Sequence, residues 1–229
     1  MRALMIATAG LLAFAGTAHA EIVSKSGRFG GVQVDYRVVL PPGYQADKAY
    51  PTILVFTGGG QEMRGVESTL AADWRAEAEK RGYVVISPAA PGGQLFFQDG
   101  DRIFPAFLDM IRKDYRVAGG KLHLAGHSNG GLSAFHVAAK YPAYFSTVTG
   151  YPGLLDDGGS TAPLKPLCLY MHAGDLDPSW RDAMAAQAKQ MQAQGYRIKF
   201  GVEKGQQHRL RAAEIDLSRR LFDEIESCK

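Results

Sequence analysis

Residues Gly126-His127-Ser128-Asn129-Gly130 follow the pattern Gly-x-Ser-x-Gly, in which a serine hydroxyl can act as a nucleophile toward a carbonyl carbon. Residues 122–125, just before this pattern, are mostly apolar. Residues 132–138, just after it, are also mostly apolar, and no helix breaker follows until Pro142. This context predicts a buried strand, a sharp turn that presents Ser128, and then a helix. A serine placed at such a turn is suited to acyl transfer.

The residue types around Ser128 fit the steric demands of such a turn. The chain would pass so close to itself at Gly126 and Gly130 that a side chain there would clash. The helix beginning at Asn129 has free N–H groups, so we predict that the Asn129 amide stabilises a developing oxyanion. His127 is adjacent to Ser128 on a tight turn and would point away from it, which predicts a structural role for this histidine.

A serine nucleophile needs a general base and an acid that orients the base, in the chain order serine, acid, histidine. An apolar run at 167–171 leads into a loop that carries Asp175 and Asp177, and either could be the acid. His208 is the one histidine of the six that follows the last predicted strand, residues 196–202. We predict that His208 is the base, and an exposed loop histidine is the alternative interpretation.

The remaining pattern places these loops on one sheet. Residues 32–40 alternate as an outer antiparallel strand does, whereas 52–56 and 84–87 are short apolar runs typical of buried strands. Helical patterns alternate with these strands, so we predict an α/β fold: a mostly parallel central sheet with helices on both faces. Only a short segment, 151–165, joins the serine half to the acid half, which leaves no room for a large cap domain. The predicted helices are 66–81, 104–115, 181–194 and 211–227.

These motifs together resemble the α/β-hydrolase family, and within it small secreted esterases akin to polyhydroxybutyrate depolymerases and feruloyl or acetylxylan esterases. The resemblance implies the hydrolase fold and a serine triad much more than one particular substrate. It spans nearly the whole chain after residue 20 and is carried by Tyr36–Tyr44, Pro51–Gln61, Gly126–Gly131, Gly174–Asp177 and His208.

The resemblance also implies further site residues. The family acid usually lies three residues after a glycine, which favours Asp177 after Gly174 and leaves Asp175 as the alternative. The loop after strand 52–56 would supply a second oxyanion donor, for which Gly59 is the first candidate and Gly60 the next. Thr57 replaces the histidine that relatives usually carry there. Three aromatic residues are candidates for the substrate pocket, with ordinary packing as the alternative for each: Trp180, Tyr151 and Phe96.

The function expected from these residues is an exported serine hydrolase that cleaves carboxylic esters through an acyl-enzyme intermediate. Ser128 would attack, His208 would transfer the proton, and Asp177 would orient His208. A serine peptidase of the same fold is one alternative, because the triad is shared. A non-catalytic exported binding module that retains the fold is the other.

The N-terminus resembles a secretory signal peptide at residues 1–20. Arg2 supplies a positive charge, residues 4–15 form an apolar core of about a dozen residues, and Ala18-His19-Ala20 is a small-x-small cleavage site. The core is too short to span a bilayer. We therefore expect export to the periplasm or medium, no stable membrane anchor, and a single hydrolase domain over residues 21–229.

Composition sets limits on partners. The formal net charge is +3, and 46% of residues are apolar, as in an ordinary globular protein. The basic residues near the C-terminus are diluted by acids, which predicts a solvated face and no nucleic-acid binding. No metal site is predicted, because the histidines are scattered, and no cofactor is expected. The two cysteines, Cys168 and Cys228, could form a disulfide in an exported chain, a pairing that the sequence leaves open.

Overall fold

The computed structural model describes residues 20–156, 159–212 and 214–228. Its centre is an eight-stranded sheet with the strand order β1-β2-β4-β3-β5-β6-β7-β8. β2 pairs antiparallel with both β1 and β4, and all remaining neighbours are parallel. The prediction of a mostly parallel sheet is confirmed. The strands are β1 (Glu21–Phe29), β2 (Val32–Leu40), β3 (Thr52–Phe56), β4 (Val84–Pro88), β5 (Leu122–Gly126), β6 (Phe145–Gly150), β7 (Cys168–Gly174) and β8 (Arg197–Glu203).

Helices cover both faces of this sheet. One core cluster joins the sheet to α1, α2 and α6, and the other joins it to α3, α4 and α5. Consecutive residues of the central strands face opposite clusters, as Ile53 and Leu54 do in β3, because side chains alternate along a strand. The helices are α1 (Met63–Thr69), α2 (Arg75–Arg81), α3 (Ala106–Asp114), α4 (Asn129–Lys140), α5 (Pro178–Ala193) and α6 (Leu217–Ser227).

Four elements differ from the sequence-based expectations. β1 and β6 were not predicted, and α6 begins at Leu217 rather than at residue 211. β1 is an edge strand with several exposed polar residues, and β6 contains Thr147 and Thr149, which are polar yet buried. Neither strand therefore has the apolar run that marks a buried strand. The predicted helix 66–81 is interrupted by a π-helical segment, Leu70–Trp74, between α1 and α2.

The two cysteines form a disulfide. Cys168 opens β7 and Cys228 follows α6, and their Cα atoms lie 6.0 Å apart. The bridge closes a sequence separation of 60 residues. It fixes the end of α6 to the edge of the sheet opposite the loops described below. The pairing that the sequence left open is thereby resolved.

The segment between β6 and β7 carries no cap domain in its described part, which contains only a single-turn helix at Ala162–Leu164. Residues 157 and 158 of this segment lie outside the described residues. Nowhere in the described ranges is a helix both long and apolar enough to cross a membrane. The predicted signal peptide falls almost entirely on residues 1–19, which are outside the described residues. It remains a prediction, as does the domain boundary after residue 20.

Candidate active site

Ser128 lies between β5 and α4 in a backbone conformation that few residues adopt. Its φ is 56° and its ψ is −126°, an arrangement that costs energy and holds the side chain clear of both elements. A Cβ on Gly126 would lie 2.1 Å from the Gly130 carbonyl oxygen, and one on Gly130 would lie 2.1 Å from the carbonyl oxygen of Phe56. The close approaches expected at both glycines are confirmed. Larger residues at either position would force the turn apart.

Three side chains from distant parts of the chain form a continuous chain of hydrogen bonds. His208 Nε2 is 2.8 Å from Ser128 Oγ, and His208 Nδ1 is 2.7 Å from Asp177 Oδ2. The Asp177 side chain is only 11% exposed, whereas that of His208 is 43% exposed. A carboxylate accepts a hydrogen bond from Nδ1–H, which leaves Nε2 free to accept the Ser128 hydroxyl proton.

Backbone contacts hold the acid loop against the histidine loop. The Asp175 N–H donates to the Glu203 carbonyl, and the Leu176 N–H donates to the Gln206 carbonyl. A Cβ on Gly174 would lie 2.2 Å from the Gln206 carbonyl oxygen, so glycine permits this approach. The two loops therefore form one packed unit, and this unit fixes the distance between acid and base.

Asp175, the alternative acid, does not contact His208. Its Oδ1 atom is buried and has no hydrogen-bond partner among the described residues. The guanidinium of Arg181 donates to the Asp175 carbonyl oxygen rather than to its side chain. The Asp177 carboxylate, by contrast, also accepts a hydrogen bond from Ser179 Oγ at 3.3 Å. The geometry thus brings Asp177 to the histidine and leaves Asp175 aside.

The loop after β3 is folded so that one amide is turned outward. The Gly58 carbonyl accepts from the Gln61 N–H at 3.2 Å, and in a trans peptide the following N–H, that of Gly59, must point the opposite way. Gly59 has a φ of 60°, which favours glycine. The side chain of Asn129 donates to the Gly59 carbonyl at 2.9 Å, which ties this loop to the start of α4.

His127 supports this loop rather than Ser128. Its Nε2 accepts a hydrogen bond from the Gly58 N–H at 3.2 Å, and its ring packs 5.6 Å from that of Tyr151. Burial lowers the pKa of His127 to about 4, and the nearby charges of Arg209 and His208 act in the same direction. His127 is therefore neutral at ordinary pH, and its contacts match the structural role predicted for it.

The three predicted pocket residues divide into two groups. Trp180 is half-buried, and its ring centroid lies 5.1 Å from that of His208, at the edge of the site. Tyr151 is buried and accepts a hydrogen bond from Trp74 Nε1, and Phe96 is fully buried against Phe56. The pocket prediction is wrong for Tyr151 and Phe96, because neither presents surface to a substrate.

Gln61 is a residue of the site that sequence reasoning missed. It is fully buried with a φ of 54°, and its side-chain amide bonds both Ser133 Oγ and the Phe96 N–H. The Ala90 N–H donates to its backbone carbonyl. Its position directly after three glycines, in the loop that follows an apolar strand, was the available signal.

The part of the chain that the structure describes contains no group of three or more His, Cys, Asp or Glu side chains that could hold a metal ion. A cleft of about 380 Å³ opens beside the outward-turned amide. It is lined by Gly58, Gly59, Gly60, Glu62, Arg64, Gly65, Ser68 and Arg209.

A strand-turn-helix serine within hydrogen-bond distance of a histidine, on an eight-stranded open sheet, defines an α/β-hydrolase. The family described as "Putative esterase" matches residues 28–214, and the chain belongs to this family.

Among solved structures, a ferulic acid esterase superposes with a TM-score of 0.70 at 18% identity, covering 90% of this chain and 96% of the other. A thermostable esterase gives a TM-score of 0.70 at 16% identity, with 90% and 61% covered. At these identities the likeness shows the fold alone.

A curated relative is similar in sequence to part of the chain. Dipeptidyl-peptidase 5 of Porphyromonas gingivalis is 30% identical over 131 residues, which are 52% of this chain. The matched stretch spans only 19% of the peptidase. The similarity therefore concerns about half of this chain and a small part of a much longer protein.

Proposed function

We propose that this protein is a serine hydrolase that cleaves carboxylic esters. The observation that carries the proposal is the unbroken hydrogen-bond chain from Asp177 through His208 to Ser128. A hydroxyl in contact with a neutral imidazole can lose its proton as it attacks, and a partly buried carboxylate stabilises the imidazolium that results. Membership of the esterase family supports the same reaction.

In the acylation half, Ser128 Oγ attacks the ester carbonyl carbon while His208 Nε2 takes the hydroxyl proton. The tetrahedral intermediate collapses, the bond to the alcohol oxygen breaks, and His208 returns its proton to that oxygen. In the second half, water loses a proton to His208 as it attacks the acyl carbon. The bond between that carbon and Ser128 Oγ then breaks, His208 returns its proton to Ser128 Oγ, and the carboxylic acid leaves. Asp177 remains ionised throughout and holds the His208 tautomer.

The amides of Gly59 and Asn129 are the proposed oxyanion donors. Asn129 is the first residue of α4, so its N–H has no partner within the helix. The Gly59 N–H points away from the loop interior, as its peptide geometry requires. Neither donor needs to reorganise as charge develops on the oxygen, which is what makes such donors effective.

A serine peptidase is the second candidate, because the relative with 30% identity is a dipeptidyl peptidase. Esters are favoured by the family match and by the open site, which has no cap in its described part that could select a peptide terminus. A binding module without catalysis is the third possibility, and intact hydrogen bonds between all three side chains argue against it.

The proposed location is outside the cytoplasm, after removal of residues 1–20. The disulfide between Cys168 and Cys228 supports this proposal, because such bonds persist in oxidising compartments. N-terminal sequencing of the protein from culture medium and periplasm tests it: Glu21 as the first residue is expected, and Met1 retained in a cytoplasmic fraction would contradict it.

A fluorophosphonate probe tests the serine chemistry, since only an activated serine displaces its fluoride efficiently. Labelling should map to Ser128 and be absent in Ser128→Ala, while Ser24→Ala, which alters an exposed residue of β1, labels normally. A panel of ester and dipeptide anilide substrates then separates the candidates. Faster hydrolysis of the anilides would favour the peptidase, and absence of both labelling and turnover would favour the binding module.

A further inference from the structure

The cleft beside the Gly58–Gly60 loop adjoins the proposed oxyanion position, because Gly59 is part of its wall. Its volume of about 380 Å³ lies at the small end of ligand sites. A substrate with its carbonyl oxygen at the Gly59 amide therefore has this cleft next to it, and a group attached near the carbonyl can reach the cleft. What lines the cleft should influence which esters react.

Two arginines contribute to the lining from opposite elements. Arg64 belongs to α1, and Arg209 directly follows His208 in the chain. Both side chains are exposed, and neither has a carboxylate within ion-pair distance in the described ranges. Some other exposed arginines do have such partners: Arg211 contacts Glu214, and Arg219 contacts Asp216.

The charges around the cleft leave it positive. Glu62 is the one acidic residue of its lining and forms no ion pair with a described residue. Asp73 interacts electrostatically with Arg209 but does not line the cleft. Burial raises the pKa of Asp73 to about 6, and the positive charge of Arg209 opposes that rise. Two guanidinium groups against one carboxylate give the cleft a net positive charge at neutral pH.

We propose that this cleft binds a carboxylate carried by the ester substrate, with Arg64 and Arg209 as its donors. The proposal rests on the proposed ester hydrolysis and specifies its substrate class. A planar guanidinium donates two parallel hydrogen bonds to a carboxylate, and the two such groups here form no ion pair with another described residue. The carboxylate can belong to the acyl part or to the alcohol part of the ester.

Matched pairs of substrates test the proposal in both positions. For the acyl side, the 4-nitrophenyl hemiester of adipic acid, whose carboxylate does not readily close onto its own ester, is compared with its neutral methyl ester. For the alcohol side, the butyrate ester of glycolic acid is compared with that of methyl glycolate. The measured quantity is the ratio of kcat/KM for the charged ester to kcat/KM for the neutral one, in which a general change in activity cancels.

The wild-type ratio should exceed one in at least one pair, and the pair concerned identifies the side that carries the charge. Arg64→Gln and Arg209→Gln should each lower that ratio about three- to tenfold, as expected for a partly solvated charge-assisted contact. Arg64→Lys should retain part of the preference for the charged ester, because lysine keeps the positive charge. Raising the salt concentration should lower the ratio, because screening weakens exposed charge pairs.

Lys189→Gln is the matched control. It removes one exposed positive charge from α5, about 18 Å along the helix from Asp177, and should leave the ratio unchanged. Ratios at or below one in both pairs, or an equal effect of Lys189→Gln, would overturn the proposal. Failure of the proposed ester hydrolysis is distinguishable, because the neutral esters would then also be inert and Ser128 would not label.

Discussion

The side-chain amide of Gln61 donates a hydrogen bond to Ser133 Oγ over 2.9 Å and so joins the loop that carries Gly59 to the helix that begins beside Ser128. The carbonyl oxygen of the same amide accepts from the Phe96 N–H at 3.0 Å. Because Gln61 is fully buried, these bonds are shielded from water. The two proposed oxyanion donors are therefore held in register through one glutamine.

Gln61→Met should lower kcat about ten- to a hundredfold with a smaller change in KM. It leaves the Phe96 N–H and Ser133 hydroxyl unpaired, each at a cost of about 1–3 kcal/mol, and it frees the loop that positions Gly59. Steady-state kinetics on a neutral ester, together with thermal unfolding, measure both effects.

Ile225→Ala provides the comparison for Gln61→Met. It creates a cavity in α6, one turn before Cys228 and remote from the loop, and should lower Tm while leaving kcat near the wild-type value. If Gln61→Met and Ile225→Ala lowered Tm by similar amounts and also lowered kcat equally, Gln61 would act only on stability.

Asp177→Asn should lower kcat by about three to four orders of magnitude, because an amide stabilises the wrong His208 tautomer. Asp175→Asn should stay within a few-fold of wild type, since the Asp175 side chain does not reach the histidine. Kinetic constants for both variants on one ester decide between them. The reverse order would move the orienting role to Asp175.

The acid limb of the pH profile of kcat/KM should depend on His208 and on no other histidine near the serine. His208 has to be neutral to accept the Ser128 proton. Burial lowers the pKa of His127 and that of His123 to about 4, so neither changes charge between pH 5 and 8. His127→Gln should therefore keep the wild-type limb, while His208→Gln should lose nearly all activity. A limb that shifts in His127→Gln would contradict this assignment.

The serine turn could be predicted from sequence because its requirements are local. Gly126 is needed because its backbone approaches Gly130, within a few residues of Ser128, and although Gly130 is needed for its approach to Phe56 of β3, both glycines belong to one short pattern. Chain order then selects His208. The sheet followed for the same reason, since most of its strands are apolar runs. Local patterns of this kind survive tertiary folding.

What the sequence could not give depends on tertiary packing. The polar threonines of β6 are buried because β5 and β7 flank the strand on both sides. Thr147 Oγ1 lies 3.0 Å from His123 Nδ1, whereas Thr149 Oγ1 has no hydrogen-bond partner among the described residues.

An aromatic residue such as Tyr151 is of a type that often lines pockets. In the structure it is buried in the core, where its hydroxyl accepts a hydrogen bond from the indole N–H of Trp74. Arg64 and Arg209 are far apart in the chain, and the sequence pattern indicated only a solvated basic face near Arg209.

A buried charge network lies next to the catalytic loops and is expected to make stability depend on pH. His172 Nδ1 and Nε2 are each 2.9 Å from a carboxylate oxygen, of Glu203 and Glu224 respectively, and Arg220 pairs with Glu203 at 2.6 Å. These contacts join β7, β8 and α6. Burial opposes the charged imidazolium, but the two carboxylates outweigh burial and raise the pKa of His172.

The pKa of Glu203 moves the other way. Burial raises it, and the contacts with His172 and Arg220 outweigh burial and lower it to about 2. The stabilisation from Glu203 is therefore present above about pH 4.5, its unfolded value, and is lost as the pH falls toward 2. That from His172 is present below about pH 6.5 and is lost as the pH rises through its raised pKa.

His172→Gln should accordingly cost more stability at pH 5.5 than at pH 9. At pH 5.5 both His172 and Glu203 are charged. Removing one member of such a buried pair costs about 3 kcal/mol of stability, or roughly 6–12 °C in Tm for a chain of this size. As the pH rises through the raised pKa of His172, a growing fraction of the imidazole is neutral, so the Tm difference from wild type should shrink. His136→Gln, which removes a more exposed contact with Asp101, should change Tm little at either pH. Thermal unfolding at the two pH values measures this, and an equal Tm loss for His172→Gln at both would show that the network does not depend on the His172 proton.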